Sequence, residues 1–439
     1  MKKVLTKLLS LGLATVMFAG CGTSAANTGS NEDAAVEKKE AEVQKEDTSG
    51  EKVEITFSHH FSEAGIQNWL DDRVAAFMKE NPNITVTQEF IAADSYSQTI
   101  QTKIASDDAP DIFIANTGRS SLVKFAEAGH LADLSDIEGL ENLNEKILPD
   151  GQVDGKQYGI TIDQNAYGVF YNKDMFDEYG LEIPETISEL EEVCKTLKKN
   201  EIQPFTTGYG ELWVIGLTLK IYEDILCGPE WFTQHENLEE PFSGDEKFTQ
   251  VMENFIRYKE YWEEDPFGKN SEDGYDALAN GEAAMMINGT WTIDSVQQRN
   301  KDCNIRFFAM PTSDDPSGAI VDLAPGSPLR VYNTEDTVKL DAAKKFISFL
   351  ITEESCNAYA TMAKKLSVCP TVDFSFSEGL QDIVDYPSER QFSMAGHERF
   401  SDQYNALQNE LVQEYAMADE FDIEGLAEAL DEAFTTAVQ

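Results

Sequence analysis

Cysteine is scarce in this chain, with six residues in 439 and no Cys-x-x-Cys pair. That excludes the disulfide-dense scaffold of small secreted domains. Apart from Cys21, the cysteines are Cys194, Cys227, Cys303, Cys356 and Cys369, an odd set that cannot pair completely within one chain. A Cys356–Cys369 bridge is one option, but free buried thiols are the expectation. Cations are also few: 34 Lys and Arg against 80 Asp and Glu, a formal net charge of −46. Nucleic acid is thereby excluded as a partner, and adsorption to anionic lipid is disfavoured. The same field leans toward neutral or cationic ligands, although bulk charge does not report the potential inside a cleft.

Long apolar runs are missing except for residues 4–19, which fall short of the roughly 20 residues a membrane crossing needs. Lys2, Lys3 and Lys7 precede and enter that run, and Ala19-Gly20 stand before Cys21. The pattern resembles a bacterial lipoprotein signal: a signal peptide over 1–20, cleavage before Cys21, and lipid on the new N-terminal thiol. Residues 22–52 are Ala, Thr, Ser, Asn, Gly, Glu and Lys with almost nothing to bury, so 21–52 reads as a lipidated cysteine and disordered tether. These features place the body on the extracellular face of the cell membrane.

Catalytic motifs are absent too. No HExxH, GxSxG, Walker A loop or dinucleotide-binding glycine fingerprint occurs. His59-His60 has only Glu63 close by, so no metal is expected, and no cofactor. A glycoside-hydrolysing pair can always be drawn from 80 carboxylates, which makes the choice uninformative.

Residues 53–439 exceed what one growing core accommodates, so two lobes are expected. Strand patterns over 53–57, 84–90 and 111–114 alternate with helical spacing over 62–78, 96–105 and 121–128, which argues for a parallel α/β lobe. Ligand groups in such lobes collect beyond the carboxyl ends of strands, making His59, His60, Glu63, Asn116 and Thr117 candidate cleft residues. A second α/β unit has strands over 158–162, 166–171 and 283–287. Its helices are expected over 187–199, 213–222 and 248–261, with later helices over 341–350, 400–415 and 423–436. Internal repeats are not visible.

Five stretches then carry a resemblance: Gly129-His130-Leu131-Ala132-Asp133-Leu134; Asp154-Gly155-Lys156-Gln157-Tyr158-Gly159-Ile160; Tyr171-Asn172-Lys173-Asp174-Met175-Phe176 continuing to Pro184-Glu185-Thr186; Gly281-Glu282-Ala283-Ala284-Met285-Met286-Ile287-Asn288-Gly289-Thr290-Trp291; and Ala342-Ala343-Lys344-Lys345-Phe346. In order and spacing they resemble the extracellular solute-binding proteins of bacterial ABC importers, specifically the carbohydrate-binding group. The resemblance implies an α/β, two-lobed periplasmic-binding-protein-like fold with discontinuous lobes and an interlobe ligand cleft. It places an N-terminal lobe at 53–161 plus 308–367 and a C-terminal lobe at 162–307 plus 368–439. It further implies capture of a sugar or short oligosaccharide without catalysis, by a monomer that serves importer permease subunits with a separate ATPase.

The resemblance also puts Trp291 in the cleft, where an indole face suits the C–H patches of a pyranose. The alternative is a buried core tryptophan. Asn288 and Thr290 flank it. Asp163, where the matched pattern crosses between lobes, could accept two hydroxyls, or it is simply a turn acid. Tyr96, Tyr167, Tyr209 and Trp213 are further aromatic candidates. Arg330 is a cation suited to hydroxyls or a carboxylate, and His397 lies in a stretch that could approach the cleft. Other readings are a receptor for a polyamine, peptide or glycerophosphodiester, a cell-surface carbohydrate-binding or adhesion protein, and a secreted glycoside hydrolase.

Overall fold

A computed structural model of the protein describes residues 52–114, 119–397 and 399–438. Cys21 and the signal and tether segments expected before residue 52 lie outside the described residues, as do Asn116 and Thr117. The described chain builds two large sheets of five and six strands, each covered by helices, and a small two-stranded one, Gln152–Val153 with Lys156–Gln157; the two large sheets give the two-lobed α/β architecture expected.

The first sheet runs in the order Ile84–Phe90, Val53–His59, Ile112–Ile114, Pro328–Val331, Ile160–Thr161. Its first three strands are parallel, joined by helices Ala64–Glu80 and Ala93–Ala105 as a right-handed α/β chain requires. The strand Pro328–Val331 returns from far along the sequence and pairs antiparallel with both its neighbours. The second sheet is centred on the long strand Gln164–Asn172, antiparallel to Ala283–Gly289 on one side. On its other side lie Val321–Pro325 and Ile305–Phe308, one behind the other. Alternate residues of the central strand enter different cores: Val169 and Tyr171 pack with the helices of one face, Ala166 and Phe170 with those of the other.

Local sequence explains most element ends. Helix Ile187–Lys199 starts at a reciprocal cap, with Glu189 N donating to Thr186 Oγ1 at 3.2 Å and Thr186 N donating to the Glu189 carboxylate at 3.1 Å. It buries Leu190, Val193, Cys194 and Leu197, the face its spacing predicts. The helix expected over 248–261 instead ends at Ile256 and gives way to a 3₁₀ turn, Lys259–Tyr261. Tyr258 and Tyr261, three residues apart, are both buried at that turn.

The chain crosses between the sheets at 162–163 and again at 326–327, and residues 366–368 run alongside. The resemblance assigns 308–367 to the first lobe, whereas the strand Val321–Pro325 is hydrogen bonded in the second sheet. One residue ties the three passages together. Asp163 O accepts from Gly326 N at 2.9 Å, its carboxylate accepts from Ser327 N and from the Tyr359 hydroxyl, each at 3.0 Å, and Asp163 bridges to Ser367. Glycine is required at 326 because the Asp163 carboxylate occupies the space a Cβ would fill. Cys356, on helix Glu353–Ala363, is disulfide-bonded to Cys369, which corrects the expectation of free thiols there. Fold proximity brings the two together: the helix packs under the same passage that Ser367 occupies. Cys194, Cys227 and Cys303 are free and buried.

Candidate functional site

Helix Leu212–Leu226 is apolar on most of its circumference, yet Trp213, Gly216, Leu217, Lys220 and Glu223 fall at helical spacing along one stripe. That stripe lines a pocket of about 320 Å³. Helix Asp402–Ala416 faces it with Asn405, Gln408 and Asn409, and Tyr167, Phe232, Trp291 and Arg399 complete the wall. The two helices approach closely because residue 216 is glycine; a Cβ there would strike the Asn409 amide.

Three aromatic rings form a corner. The Trp291 ring lies 6.0 Å from Tyr167 and 6.1 Å from Trp213, at interplanar angles of 69° and 56°. Trp291 opens helix Trp291–Arg299 and folds back over Gly289, where any side chain would collide with the indole. Its indole lies beside the Tyr275 hydroxyl. Trp213 is 43% exposed. Nearby, the Glu211 carboxylate accepts from Ser271 N at 2.7 Å and Ser271 Oγ at 2.5 Å. Both indoles line the pocket, with apolar surface left for a guest.

Beneath the corner the chemistry changes. The Lys220 ammonium lies 5.2 Å over the Tyr167 ring, and Gln408 Nε2 donates to Glu223 Oε1 at 2.6 Å. Arg399 pairs with Asp224, itself almost wholly buried. Asp322, on Val321–Pro325 opposite Tyr167, is fully buried beside Asp224. Burial pushes Glu223 and Asp322 each up to about 7, against the pull of Lys220, with Gln408 also opposing at Glu223. Asp224 rises well above the carboxylate range through burial and then through Asp322. Burial opposes the Lys220 ammonium, but Tyr167, Asp224, Asp322 and Glu223 outweigh it and raise its pKa.

Of the residues singled out from sequence, Trp291, Trp213 and Tyr167 are brought together here. Asn288 is fully buried in its strand, its amide oxygen accepting from Gly289 N at 2.8 Å. Thr290 is held by Asn165, 3.0 Å from its hydroxyl. Tyr209 is buried among Phe255, Trp262 and Phe267.

The first-lobe candidates lie apart from this pocket. Tyr96 is buried, its hydroxyl donating to Ser58 O at 2.8 Å and accepting from Ile114 N at 3.0 Å, which ties two strands. His60 packs edge-on to Tyr96 at 4.9 Å, and Glu63 pairs with Lys365 at 3.1 Å. Asp163 has both oxygens engaged at the crossing. Arg330 is buried facing Asp150, with Nε and Nη1 unpartnered, and burial lowers its pKa to about 10 despite Asp150. His397 is exposed, whereas its neighbour Arg399 lines the pocket.

Sequence reasoning missed Lys220, Glu223, Arg399, Asn405, Gln408 and Asn409. A signal was present at two of them: Lys220 and Glu223 interrupt the apolar run 212–226 three residues apart, on the face of Trp213.

The fold and pocket define a two-lobed solute receptor. Residues 62–355 match the family described as bacterial extracellular solute-binding protein, and the chain belongs to that family, which is one of receptors rather than enzymes. Among its relatives is the multiple sugar-binding protein of Streptococcus mutans, 24% identical over 74% of this chain and 76% of that protein. The apo form of RafE from Streptococcus pneumoniae has the same fold, with a TM-score of 0.76 and 21% identity over 89% of this chain and 99% of RafE. RafE in complex with raffinose superposes with a TM-score of 0.69 and 22% identity, over 88% of this chain and 99% of RafE.

Proposed function

We propose that this protein captures a sugar or short oligosaccharide, holding it by aromatic stacking and hydrogen bonds, and delivers it to the permease subunits of an ABC importer whose ATPase is a separate chain. The observation that carries the proposal is the corner of Trp291, Trp213 and Tyr167 above a floor of polar side chains. A pyranose has just this division, with apolar C–H faces and a hydroxyl rim. The sugar-binding name of the Streptococcus mutans relative and the raffinose complex of RafE support the same ligand class.

In this reading the lobes divide at 162–163 and 326–327, and closure turns on those crossings. Asp163 then belongs to the hinge rather than to the ligand. Asn116, His60 and Glu63 are the first-lobe groups assigned to the closing face, and Arg330, buried facing Asp150, is not among them. Cys21 carries the lipid that keeps the receptor at the extracellular membrane face, and the receptor acts as a monomer.

Thermal unfolding against a panel of mono- and oligosaccharides, polyamines and short peptides tests the proposal. A saturable rise in melting temperature with one sugar class is the expected result. Stabilisation by a polyamine or peptide instead would replace the sugar with another solute.

A further inference from the structure

The pocket floor poses a problem of charge. Three carboxylates, Glu223, Asp224 and Asp322, sit with two cations, Lys220 and Arg399, in the space beneath Tyr167 and Trp291. Asp322 is wholly inaccessible, and neither of its oxygens accepts a hydrogen bond. Oδ1 of Asp224 is likewise buried without a donor, and so is Nη1 of Arg399 as a donor without an acceptor. Two ionised carboxylates side by side with so few donors would be far costlier than one acid bonded to one carboxylate.

Resting on the sugar-capture reading, we propose that Asp224 and Asp322 share one proton, which leaves the pair together with Lys220, Glu223 and Arg399 without net charge and selects an uncharged, hydroxyl-bearing unit of the ligand. The pair then carries one negative charge and Glu223 another, against the two cations. The groups facing the pair complete the balance: Lys220 and Glu223 from its own helix, Tyr167 across the sheet, Arg399 from the loop and Gln408 from the facing helix. Lys220 and Arg399 both line the pocket, although Nη1 of Arg399 is itself inaccessible. A hydroxyl can accept from Lys220 and donate to Glu223. A cationic guest would meet Lys220 and Arg399, and an anionic guest would meet Glu223.

Two measurements on the full chain decide this. Thermal unfolding of Asp322→Asn needs no ligand, since an amide stands in for the protonated acid. The expected melting temperature lies within about 2 °C of the parent at pH 5 and several degrees above it at pH 8, where the folded parent must hold a proton that its unfolded carboxyls have released. Equal destabilisation at both pH values overturns the shared proton. Calorimetric titration with raffinose, spermidine and trigalacturonate reads selectivity. Raffinose should bind at least about tenfold tighter than either charged probe, and Lys220→Met should weaken raffinose about tenfold while spermidine gains. Tighter binding of a charged probe to the parent, or unchanged raffinose binding by Lys220→Met, overturns the neutral floor. Trp291→Ala separates the two readings. Raffinose binding that survives it counts against aromatic capture, whereas loss there with retention in Lys220→Met counts against the floor alone. If none of the probes binds, the capture reading fails and the unfolding arm still decides the proton.

Discussion

Asp163 and Asp322 are both buried carboxylates, 8% and 0% exposed, yet their surroundings are opposite. Asp163 has a donor for each oxygen, from Ser327 N and the Tyr359 hydroxyl, and its backbone oxygen is used by Gly326 N. Asp322 has a donor for neither, and it lies under a pocket beside a second acid. Burial raises the pKa of both. A buried acid that is fully hydrogen bonded fixes structure, here the crossing between lobes; one left unsatisfied beneath a cavity marks where a ligand or proton is handled.

The largest expected effect breaks the first half of that comparison. Asp163→Ala strands Ser327 N and the Tyr359 hydroxyl together and should cost about 3 kcal/mol in denaturant unfolding. Replacing Cys356 and Cys369 with serine releases the nearby loop; their sequence separation of 13 corresponds to about 3 kcal/mol at most, read by the same method.

Glu223→Gln sharpens the second half. The Glu223 carboxyl, ordinarily near 4.5, sits at about 7, so the folded state binds more protons than the unfolded one between those values. Parent stability from this group is therefore greatest below pH 4.5 and falls as pH rises to 7. The amide, which still pairs with Gln408, should gain about 2 kcal/mol at pH 8 and almost nothing at pH 4, checked by urea melts at both. The smallest effect is Tyr359→Phe, about 1 kcal/mol, because Asp163 keeps Ser327 N.

The two acids also show what was legible in sequence. Helix Ile187–Lys199 could be read directly, because its cap and its apolar spacing lie within one window. Helix Ser271–Asn280 was not read, although Asn270 and Asp273 cap it reciprocally, since Gly274 and three acidic residues blur its apolar face. Trp291 was placed through the resemblance, and its neighbour Trp213 through a helix start. The floor needed three dimensions: Lys220 and Glu223 share a helix, but Arg399 arrives from a distant loop and Asp322 from another strand. Asp163 was singled out for a ligand because its carboxylate stood at a lobe crossing. Its actual donors lie 164 and 196 residues away, beyond any local pattern.

The most direct test of sugar capture is calorimetric titration of the parent and Trp291→Ala with a series of uncharged oligosaccharides, with unfolding curves confirming that the variant folds. The account predicts saturable binding of at least one oligosaccharide by the parent and a loss of about a hundredfold in the variant, the scale expected when an aromatic platform is removed. Equal affinity in the two proteins would contradict it.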